Sequence, residues 1–256
     1  MKQTAEAAQV LGSTLEYAWF GDRATPHPLV LLHDSLGSVG TWKDFPERLA
    51  AATGHAVLAY SREGFGGSSK LSRARWRGYM HHEAETVLPA FLDAVGVKSP
   101  ILFGHSDGAT IALVAAGAHP GLTPGIVIEA PHVFVEPITL AGIDAAREVY
   151  RTTNLREKLT RYHPDPDAVF AAWTETWTAP YFKDWNVEEY VPRVRCPVLM
   201  IQGLQDEYGS AAQIEAIKAG RVDREVLMLD RCAHSPHRDR PEAVLKAAAE
   251  FVRRIA

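Results

Sequence analysis

Three side chains of this sequence, in the chain order serine, aspartate and histidine, are of the types that nucleophilic catalysis requires. Ser106 lies in the pentapeptide Gly104–Gly108, which reads Gly-His-Ser-Asp-Gly, and Asp206 and His234 follow it. A serine hydroxyl is a weak nucleophile at neutral pH, and it becomes reactive when a histidine, itself oriented by a carboxylate, takes its proton. We therefore predict Ser106 as the nucleophile, His234 as its base and Asp206 as the acid that orients His234.

The segments around the serine favour this chemistry over an ordinary turn. The apolar run Ile101–Phe103 predicts a buried strand before the pentapeptide, and Asp107–Ala118 predicts a helix after it. A serine between strand and helix lies on a sharp turn that exposes its hydroxyl. Gly104 and Gly108 suit such a turn because the strand and helix backbones approach each other closely there.

The acid is expected after a late strand, at the edge of the sheet where ligands bind in open α/β folds. Asp206 follows the predicted strand Val198–Gln202 and a short turn. Glu207 is its neighbour and competes for the role. Either carboxylate can instead cap a helix or face solvent. We favour Asp206 because it lies directly in the strand–turn pattern.

The base must be chosen among 11 histidines. His234 follows the predicted last strand, Val226–Leu229, and the final helix begins soon after it. His237 is the main rival. His105 flanks the nucleophile, and we predict that it contacts substrate or has a structural role rather than acting as the base. The histidines predicted to lie at the surface are His81, His82 and His119.

An oxyanion hole needs two backbone N–H groups aimed at the negative charge that develops on the carbonyl oxygen. The amide of Asp107, directly after the nucleophile, is the first predicted donor. The second is expected from the loop after an early strand, here His33–Ser38. We predict Ser35 as that donor, with Leu36 as the second choice. The alternative is an ordinary strand–helix connection without a role.

Composition limits the classes of function. The chain has 256 residues, of which 46% are hydrophobic and 23% are charged, and its net charge is −4. These values predict a globular protein, with no indication of a nucleic-acid or membrane partner. Cys196 and Cys232 lack zinc-type spacing, so free thiols are the simplest interpretation, although a disulfide between them stays open. No secretory signal is visible, and we expect a cytoplasmic protein that needs no metal or cofactor.

Short apolar runs alternate with amphipathic stretches, which predicts the α/β class, with a mostly parallel sheet flanked by helices. The predicted strands are Leu15–Phe20, at an antiparallel edge, Leu29–His33, Ala56–Tyr60, Ile101–Phe103, Ile126–Glu129, Val198–Gln202 and Val226–Leu229. The predicted helices of this pattern are Trp42–Ala52, Tyr79–Val95, Asp107–Ala118, Ala211–Ala219 and Pro241–Ile255.

The alternation is interrupted over residues 132–194, which we predict to be an inserted helical cap between core residues 1–131 and 195–256. Its predicted helices are Leu140–Thr152, Pro166–Thr178 and Asp184–Tyr190. Most of its aromatic side chains are expected to form the core of the cap. Trp173 and Trp177 are the two that we predict to face a substrate.

Taken together, several motifs resemble the α/β-hydrolase superfamily over nearly the whole chain. These motifs are His33–Gly37, Tyr60–Ser68, Gly104–Gly108, Gln202–Asp206 and Ala233–His234. The resemblance implies the same triad and a lid made by the inserted segment. Asp34 departs from the pattern, because most relatives have glycine after the histidine. It also places a carboxylate near the mouth of the pocket.

Three features are similar to the valacyclovir-hydrolase-like branch of serine esterases, which cleaves α-amino-acid esters. These features are Asp107, the loop Leu36–Ser38 and the segment Ala130–Val135. The resemblance implies that Asp107 helps to hold the ammonium group of a substrate. The alternative is that Asp107 is a favourable charge at a helix N-terminus, and both remain open.

The function that these patterns predict is a serine hydrolase that cleaves a small carboxylic ester or lactone through an acyl-enzyme. One alternative is a carbon–carbon bond hydrolase or enol-lactonase of aromatic degradation, which would use the same triad. Another is a ligand-binding receptor that keeps the fold without turnover. The complete set of triad residues argues against the receptor.

Overall fold

A computed structural model describes residues 5–220 and 223–256. These residues form one eight-stranded sheet in the order β1-β2-β4-β3-β5-β6-β7-β8, in which the pairs β1–β2 and β2–β4 are antiparallel and the others parallel. The strands are β1 (Glu6–Val10), β2 (Ser13–Phe20), β3 (Leu29–Leu32), β4 (Val57–Tyr60), β5 (Ile101–His105), β6 (Ile126–Glu129), β7 (Val198–Gly203) and β8 (Arg224–Leu229). The predicted α/β class with a mostly parallel sheet is confirmed.

Helices cover both faces of the sheet, and the sheet separates two apolar cores. The helices are α1 (Phe45–Thr53), α2 (Tyr79–His82), α3 (Leu88–Ala94), α4 (Asp107–Ala118), α5 (Pro137–Thr152), α6 (Leu155–Leu159), α7 (Pro166–Thr178), α8 (Ala211–Lys218), α9 (Pro236–Asp239) and α10 (Pro241–Ile255). Side chains of α1 and α10 pack on one face, and those of α2, α3 and α4 pack on the other. Strands β3 to β7 are buried on both faces, which explains their continuous apolar runs.

Two predicted helices differ in detail. The segment predicted as Trp42–Ala52 is a 3₁₀ turn, Val39–Trp42, followed by α1, because Pro46 starts a new helix in its first turn. Tyr79–Ala94 is helical throughout, but its middle, Glu83–Val87, is a π-helical turn between α2 and α3. Strand β1 was not predicted, and it pairs with β2 through a tight turn at Leu11-Gly12, where both residues have positive φ angles of 51° and 88°.

The predicted helical insertion between β6 and β7 is present. Helix α7 has the predicted bounds, and Asp165 caps it by accepting a hydrogen bond from the Ala168 amide at 3.0 Å. The prediction of a helix at Asp184–Tyr190 is wrong. Short 3₁₀ turns at Pro180–Phe182 and Glu188–Arg193 replace it. The cap boundaries at residues 132 and 194 stay a prediction.

The two cysteines, Cys196 and Cys232, are free thiols. Within residues 5–220 and 223–256, no helix combines the length and the apolar character needed to cross a membrane. The same residues contain no group of three or more histidine, cysteine or acidic side chains arranged to hold a metal ion.

Candidate active site

Ser106 lies on the sharp turn between β5 and α4. Its backbone angles, φ 53° and ψ −116°, are unfavourable for a residue with a Cβ atom and are typical of strain at a functional site. The flanking glycines are required by packing. A Cβ on Gly108 would lie 1.9 Å from the carbonyl oxygen of Leu32, and one on Gly104 would lie 2.2 Å from that of Gly108. The chain therefore keeps this strained turn by close backbone packing beneath the serine.

The three residues predicted as a triad lie within hydrogen-bond distance of one another. Ser106 Oγ is 2.9 Å from His234 Nε2. On the other side of the ring, His234 Nδ1 is 2.9 and 3.0 Å from the two carboxylate oxygens of Asp206. Asp206 comes from the loop after β7, and His234 from the loop after β8. In this order, a proton can pass from the serine to the imidazole while the carboxylate stabilises the imidazolium.

Asp206 is surrounded by hydrogen-bond donors. Its Oδ1 accepts from the amides of Tyr208 and Gly209 at 2.8 and 3.2 Å, and its Oδ2 accepts from Gln202 Nε2 at 2.7 Å. Burial alone would raise the pKa of Asp206, but the charge and hydrogen bond of His234, the Tyr208 amide and the charge of His132 outweigh burial and lower it. The carboxylate is therefore ionised when it faces His234.

The pKa of His234 moves in the opposite direction. Burial lowers it, but the charge and hydrogen bond of Asp206, together with the charges of Glu207 and Asp34, raise it above the ordinary value. Glu207, the competitor for the acid role, makes no hydrogen bond to the imidazole ring. Its Oε2 accepts a hydrogen bond from the backbone amide of His234 at 3.2 Å. Glu207 thus holds the backbone of the base while Asp206 orients its ring.

A cavity of about 210 Å³ opens at Ser106. The residues that line it are Asp34, Ser35, Leu36, Ser106, Asp107, His132, Thr139, Ile143, Trp173, Trp177, Glu207, Tyr208, His234, Ser235 and Arg238. Trp173 and Trp177, predicted to face a substrate, are both among its walls. The volume lies below the roughly 300–1,000 Å³ usual for ligand pockets, which indicates a small substrate.

The three predicted oxyanion donors, Ser35, Leu36 and Asp107, all line this cavity. Within the described part of the chain, the amides of Ser35 and Leu36 have no hydrogen-bond acceptor. Asp107 begins α4, so its amide has no partner within the helix. These free donors beside Ser106 Oγ are of the kind that a tetrahedral oxyanion needs.

Arg62 and His163 hold the loop that carries Ser35 and Leu36 through hydrogen bonds to its backbone carbonyl groups. Arg62 donates hydrogen bonds to the carbonyl oxygens of His33 and Asp34, at 2.6 and 3.1 Å. His163, from the helical insertion, lies with its Nε2 2.9 Å from the carbonyl oxygen of Leu36. These contacts hold the loop in a conformation in which the amides of Ser35 and Leu36 have no acceptor among the described residues.

The side chain of Asp107 is fully buried, and one of its carboxylate oxygens contacts a tyrosine and two arginines. Its Oδ2 accepts a hydrogen bond from Tyr79 at 2.8 Å, and guanidinium nitrogens of Arg62 and Arg75 lie 3.6 and 3.7 Å from the same oxygen. Its Oδ1 has no protein partner. Two arginines therefore lie beside one oxygen of Asp107, while the other oxygen is buried and has no hydrogen-bond partner among the described residues.

His105, predicted to contact substrate, is 1% exposed and is not among the walls of the cavity. Its Nε2 lies 2.7 Å from the carbonyl oxygen of His234. Burial lowers the pKa of His105 to about 4, so the ring is neutral and its N–H donates to that carbonyl. His237, the rival base, is bonded to Glu129 and has no hydrogen bond to Ser106. His81, His82 and His119 are partly exposed.

Several residues around the site were not singled out from the sequence. Arg62 lies inside the motif Tyr60–Ser68, which was the only signal for it, and Gln202 lies at the end of a predicted strand. Tyr79 and Arg75 come from segments with no motif. Their contacts with Asp107 depend on how distant segments fold together.

Comparison with known proteins places the chain among hydrolases. Residues 29–247 match the family described as the alpha/beta hydrolase family. The serine hydrolase BPHL of Homo sapiens is 28% identical, over 79% of this chain and 70% of that protein. The N-formylmaleamate deformylase of Pseudomonas putida is 23% identical, over 94% of this chain and 93% of that protein.

A solved structure shows the same fold. The enol-lactonase from Burkholderia xenovorans LB400 superposes with a TM-score of 0.75 at 19% identity, covering 97% of this chain and all of that one. At this identity the likeness concerns the fold alone. The match to the human serine hydrolase confirms the resemblance that the sequence motifs indicated. The chain belongs to the α/β hydrolase family.

Proposed function

We propose that this chain is a serine hydrolase that cleaves a small carboxylic ester or lactone through an acyl-enzyme. Ser106 Oγ attacks the carbonyl carbon while His234 Nε2 takes its proton, and His234 then returns that proton to the leaving alcohol. A water molecule, deprotonated by His234, attacks the acyl-enzyme and releases the acid. Asp206 holds the ring and stabilises the imidazolium in both steps.

The observation that carries this proposal is the line of hydrogen bonds from Ser106 Oγ through His234 to Asp206. Each bond is between 2.9 and 3.0 Å long, and the serine opens onto a cavity. The arrangement supports turnover over a receptor that only binds ligand. Such a receptor has no need of an ionised acid behind a histidine of raised pKa.

The amides of Asp107 and Ser35 are the proposed oxyanion donors, with Leu36 as the alternative to Ser35. Trp173 and Trp177 are the proposed apolar contacts for the substrate. Both tryptophans come from α7, in the helical insertion, so this segment would close over the acyl or alcohol group. A small amide is a second candidate substrate, because the relative that spans nearly the whole chain is a deformylase by name.

Asp107 is the proposed contact for an amino group on the substrate, through its free Oδ1. Arg62 and Arg75 lie behind the other oxygen, so Asp107 would offer a hydrogen-bond acceptor rather than an uncompensated negative charge. We therefore expect a preference for aminoacyl over acyl esters of equal size that stays below about tenfold in kcat/KM. A ratio of one or less would remove this role from Asp107.

The test is a matched panel of small acyl esters, aminoacyl esters, lactones, formamides and carbon–carbon substrates, run with wild type and Ser106→Ala. We expect ester or lactone turnover that falls by several orders of magnitude in the variant. A fluorophosphonate probe should label wild type at Ser106 and should not label the variant. Wild-type turnover that survives in Ser106→Ala would contradict the proposal, as would a wild-type enzyme that does not react with the probe.

A further inference from the structure

A second carboxylate–histidine pair, Glu129 and His237, lies near the first, with His105 packed between the two histidines, and takes no part in the chemistry proposed above. Glu129 Oε2 is 2.8 Å from His237 Nδ1, and the two side chains are 0% and 2% exposed. The other carboxylate oxygen of Glu129 has no protein partner. Burying a polar group costs free energy unless the group is hydrogen-bonded, so a buried carboxyl group with one unpartnered oxygen calls for an explanation.

The pair links the strand next to the nucleophile turn to the segment that follows the base. Glu129 is the last residue of β6, and its carbonyl oxygen accepts the hydrogen bond of the Ser106 amide at 2.9 Å. His237 lies in α9, directly after the loop that carries His234. The hydrogen bond between Glu129 and His237 thus connects the strand that binds the Ser106 amide to the helix that follows the His234 loop.

Aromatic packing fixes the ring of His237 in place. Its centroid lies 4.7 Å from that of Trp42, 5.4 Å from Phe45 and 4.9 Å from His105. His105 in turn donates to the backbone carbonyl of His234. Two adjacent histidines therefore support the loop that carries His234. His105 binds its backbone, and His237 follows it in the chain and packs against His105.

The pair holds its hydrogen bond without carrying a net charge. Burial raises the pKa of Glu129 to about 8 and lowers the pKa of His237 to about 3, so at neutral pH the carboxyl O–H donates to the imidazole nitrogen. A charged His237 near His234 would oppose protonation of the base. The uncharged pair avoids this effect and still ties the two segments together.

We propose that Glu129 is a positioning residue for His234, which acts through its hydrogen bond to His237 and keeps the imidazole in line with Ser106 Oγ. This inference rests on the proposed function, because its effect is on the proton transfer from Ser106. Neither Glu129 nor His237 touches the substrate, so their loss acts on the rate of the chemical step and spares substrate binding.

The experiment compares Glu129→Leu, Glu129→Gln and Val127→Ala. Leucine removes the bond to His237, whereas the amide of glutamine keeps a hydrogen-bond partner at the same place. Val127 is the matched control, because it is fully buried on the same strand and face and packs in the same core as Trp42. For Glu129→Leu we expect a fall in kcat of about tenfold or more with KM nearly unchanged, and in Glu129→Gln a kcat within about threefold of wild type.

The rate of fluorophosphonate labelling of Ser106 gives a second readout that needs no substrate, and it should fall with kcat in Glu129→Leu. If Glu129→Leu does not fold, His237→Leu and His237→Asn replace it, since asparagine can keep the bond and leucine cannot. Equal kcat in the bond-breaking variant and wild type would overturn the inference. An equal loss of kcat in Val127→Ala would also overturn it. A wild-type enzyme that does not label overturns the proposed function instead.

Discussion

The two carboxylate–histidine pairs of this protein join the same kinds of side chain by hydrogen bonds of nearly the same length, yet their pKa values shift in opposite directions. Asp206 and His234 are 2.9 Å apart, and Glu129 and His237 are 2.8 Å apart. In the first pair, the pKa of the acid is lowered and that of the histidine raised. In the second, the pKa of Glu129 is raised to about 8 and that of His237 lowered to about 3.

The difference follows from the donors that surround each carboxylate. Asp206 accepts hydrogen bonds from two backbone amides and from Gln202, in addition to His234. Glu129 has its one bond to His237 and an oxygen without a partner. Burial disfavours charge in both places, but only Asp206 has enough donors to stay ionised. We infer that these donors and access to a nucleophile are what suit Asp206 and His234, rather than Glu129 and His237, to the proposed catalysis.

The largest difference between the pairs is expected when each carboxylate is changed to its amide. In Asp206→Asn the amide fixes the wrong tautomer of His234 and cannot stabilise the imidazolium, so kcat should fall on the order of 10⁴-fold. In Glu129→Gln the uncharged partner replaces a carboxyl that is already uncharged, so kcat should stay within about threefold. Both are measured as kcat at pH 7 on the best ester of the panel.

Circular dichroism of both variants checks that the fold is intact. A loss in Glu129→Gln as large as that in Asp206→Asn would remove the distinction between the pairs and would assign Glu129 a direct part in proton transfer. A small loss in Asp206→Asn would show that another carboxylate, with Glu207 the nearest, can replace Asp206.

The three residues that we propose as the triad were predictable from the sequence, because each lies next to a local pattern. Ser106 lies between a buried strand and a helix, and Asp206 and His234 each follow a late strand. The partner of His237 was not predictable. Glu129 is 108 residues away in the chain, and it ends a strand whose apolar pattern says nothing about where a final carboxyl group points.

The same distinction holds for the fold. The buried parallel strands were predicted because their side chains are apolar on both faces. Strand β1, with the sequence EAAQV, has no such pattern, and it exists because the turn at Leu11-Gly12 folds it against β2. The charge balance of Asp107 could not be predicted either, since Arg62, Arg75 and Tyr79 meet it only in the folded chain.

A second, smaller effect concerns stability and pH. Between pH 6.5 and about pH 8, the folded Glu129–His237 pair holds one proton. In the unfolded chain the glutamate, with a pKa of 4.5, holds no proton in this window, and the histidine, with a pKa of 6.5, goes from half protonated to neutral. The contribution of Glu129 to the free energy of unfolding should therefore fall as the pH rises through this window, by about 2 kcal/mol at 1.36 kcal/mol per unit. Glu129→Gln has no proton to lose there.

The measurement is urea unfolding of wild type and Glu129→Gln at pH 6.5 and pH 8, and the quantity compared is the difference between the two proteins. Other titrating groups around the pair, including His105 and His234, and the neighbouring charge of Arg238 contribute to both proteins and largely cancel. The stability of Glu129→Gln relative to wild type should rise by about 2 kcal/mol between the two pH values. A constant difference would mean that Glu129 is ionised in the folded protein.

The smallest expected effect concerns the charge around His234. The base must be neutral to take the proton of Ser106, so its raised pKa places the acid limb of kcat/KM above pH 6.5. Glu207→Gln removes one of the charges that raise this pKa, while the amide oxygen can still accept the bond from the His234 backbone. The limb should therefore move to lower pH, by less than it moves when the charge of Asp206 is removed.

The control for net charge is Glu215→Gln, which changes the charge by the same amount on the exposed side of α8, away from the site. Its acid limb should coincide with that of wild type in a profile of kcat/KM from pH 5 to 9. If Glu207→Gln also coincides with wild type, the charge of Glu207 does not reach the imidazole. The pKa of His234 would then be set by Asp206 and Asp34 against burial, and the contrast between the two pairs would rest on their immediate partners alone.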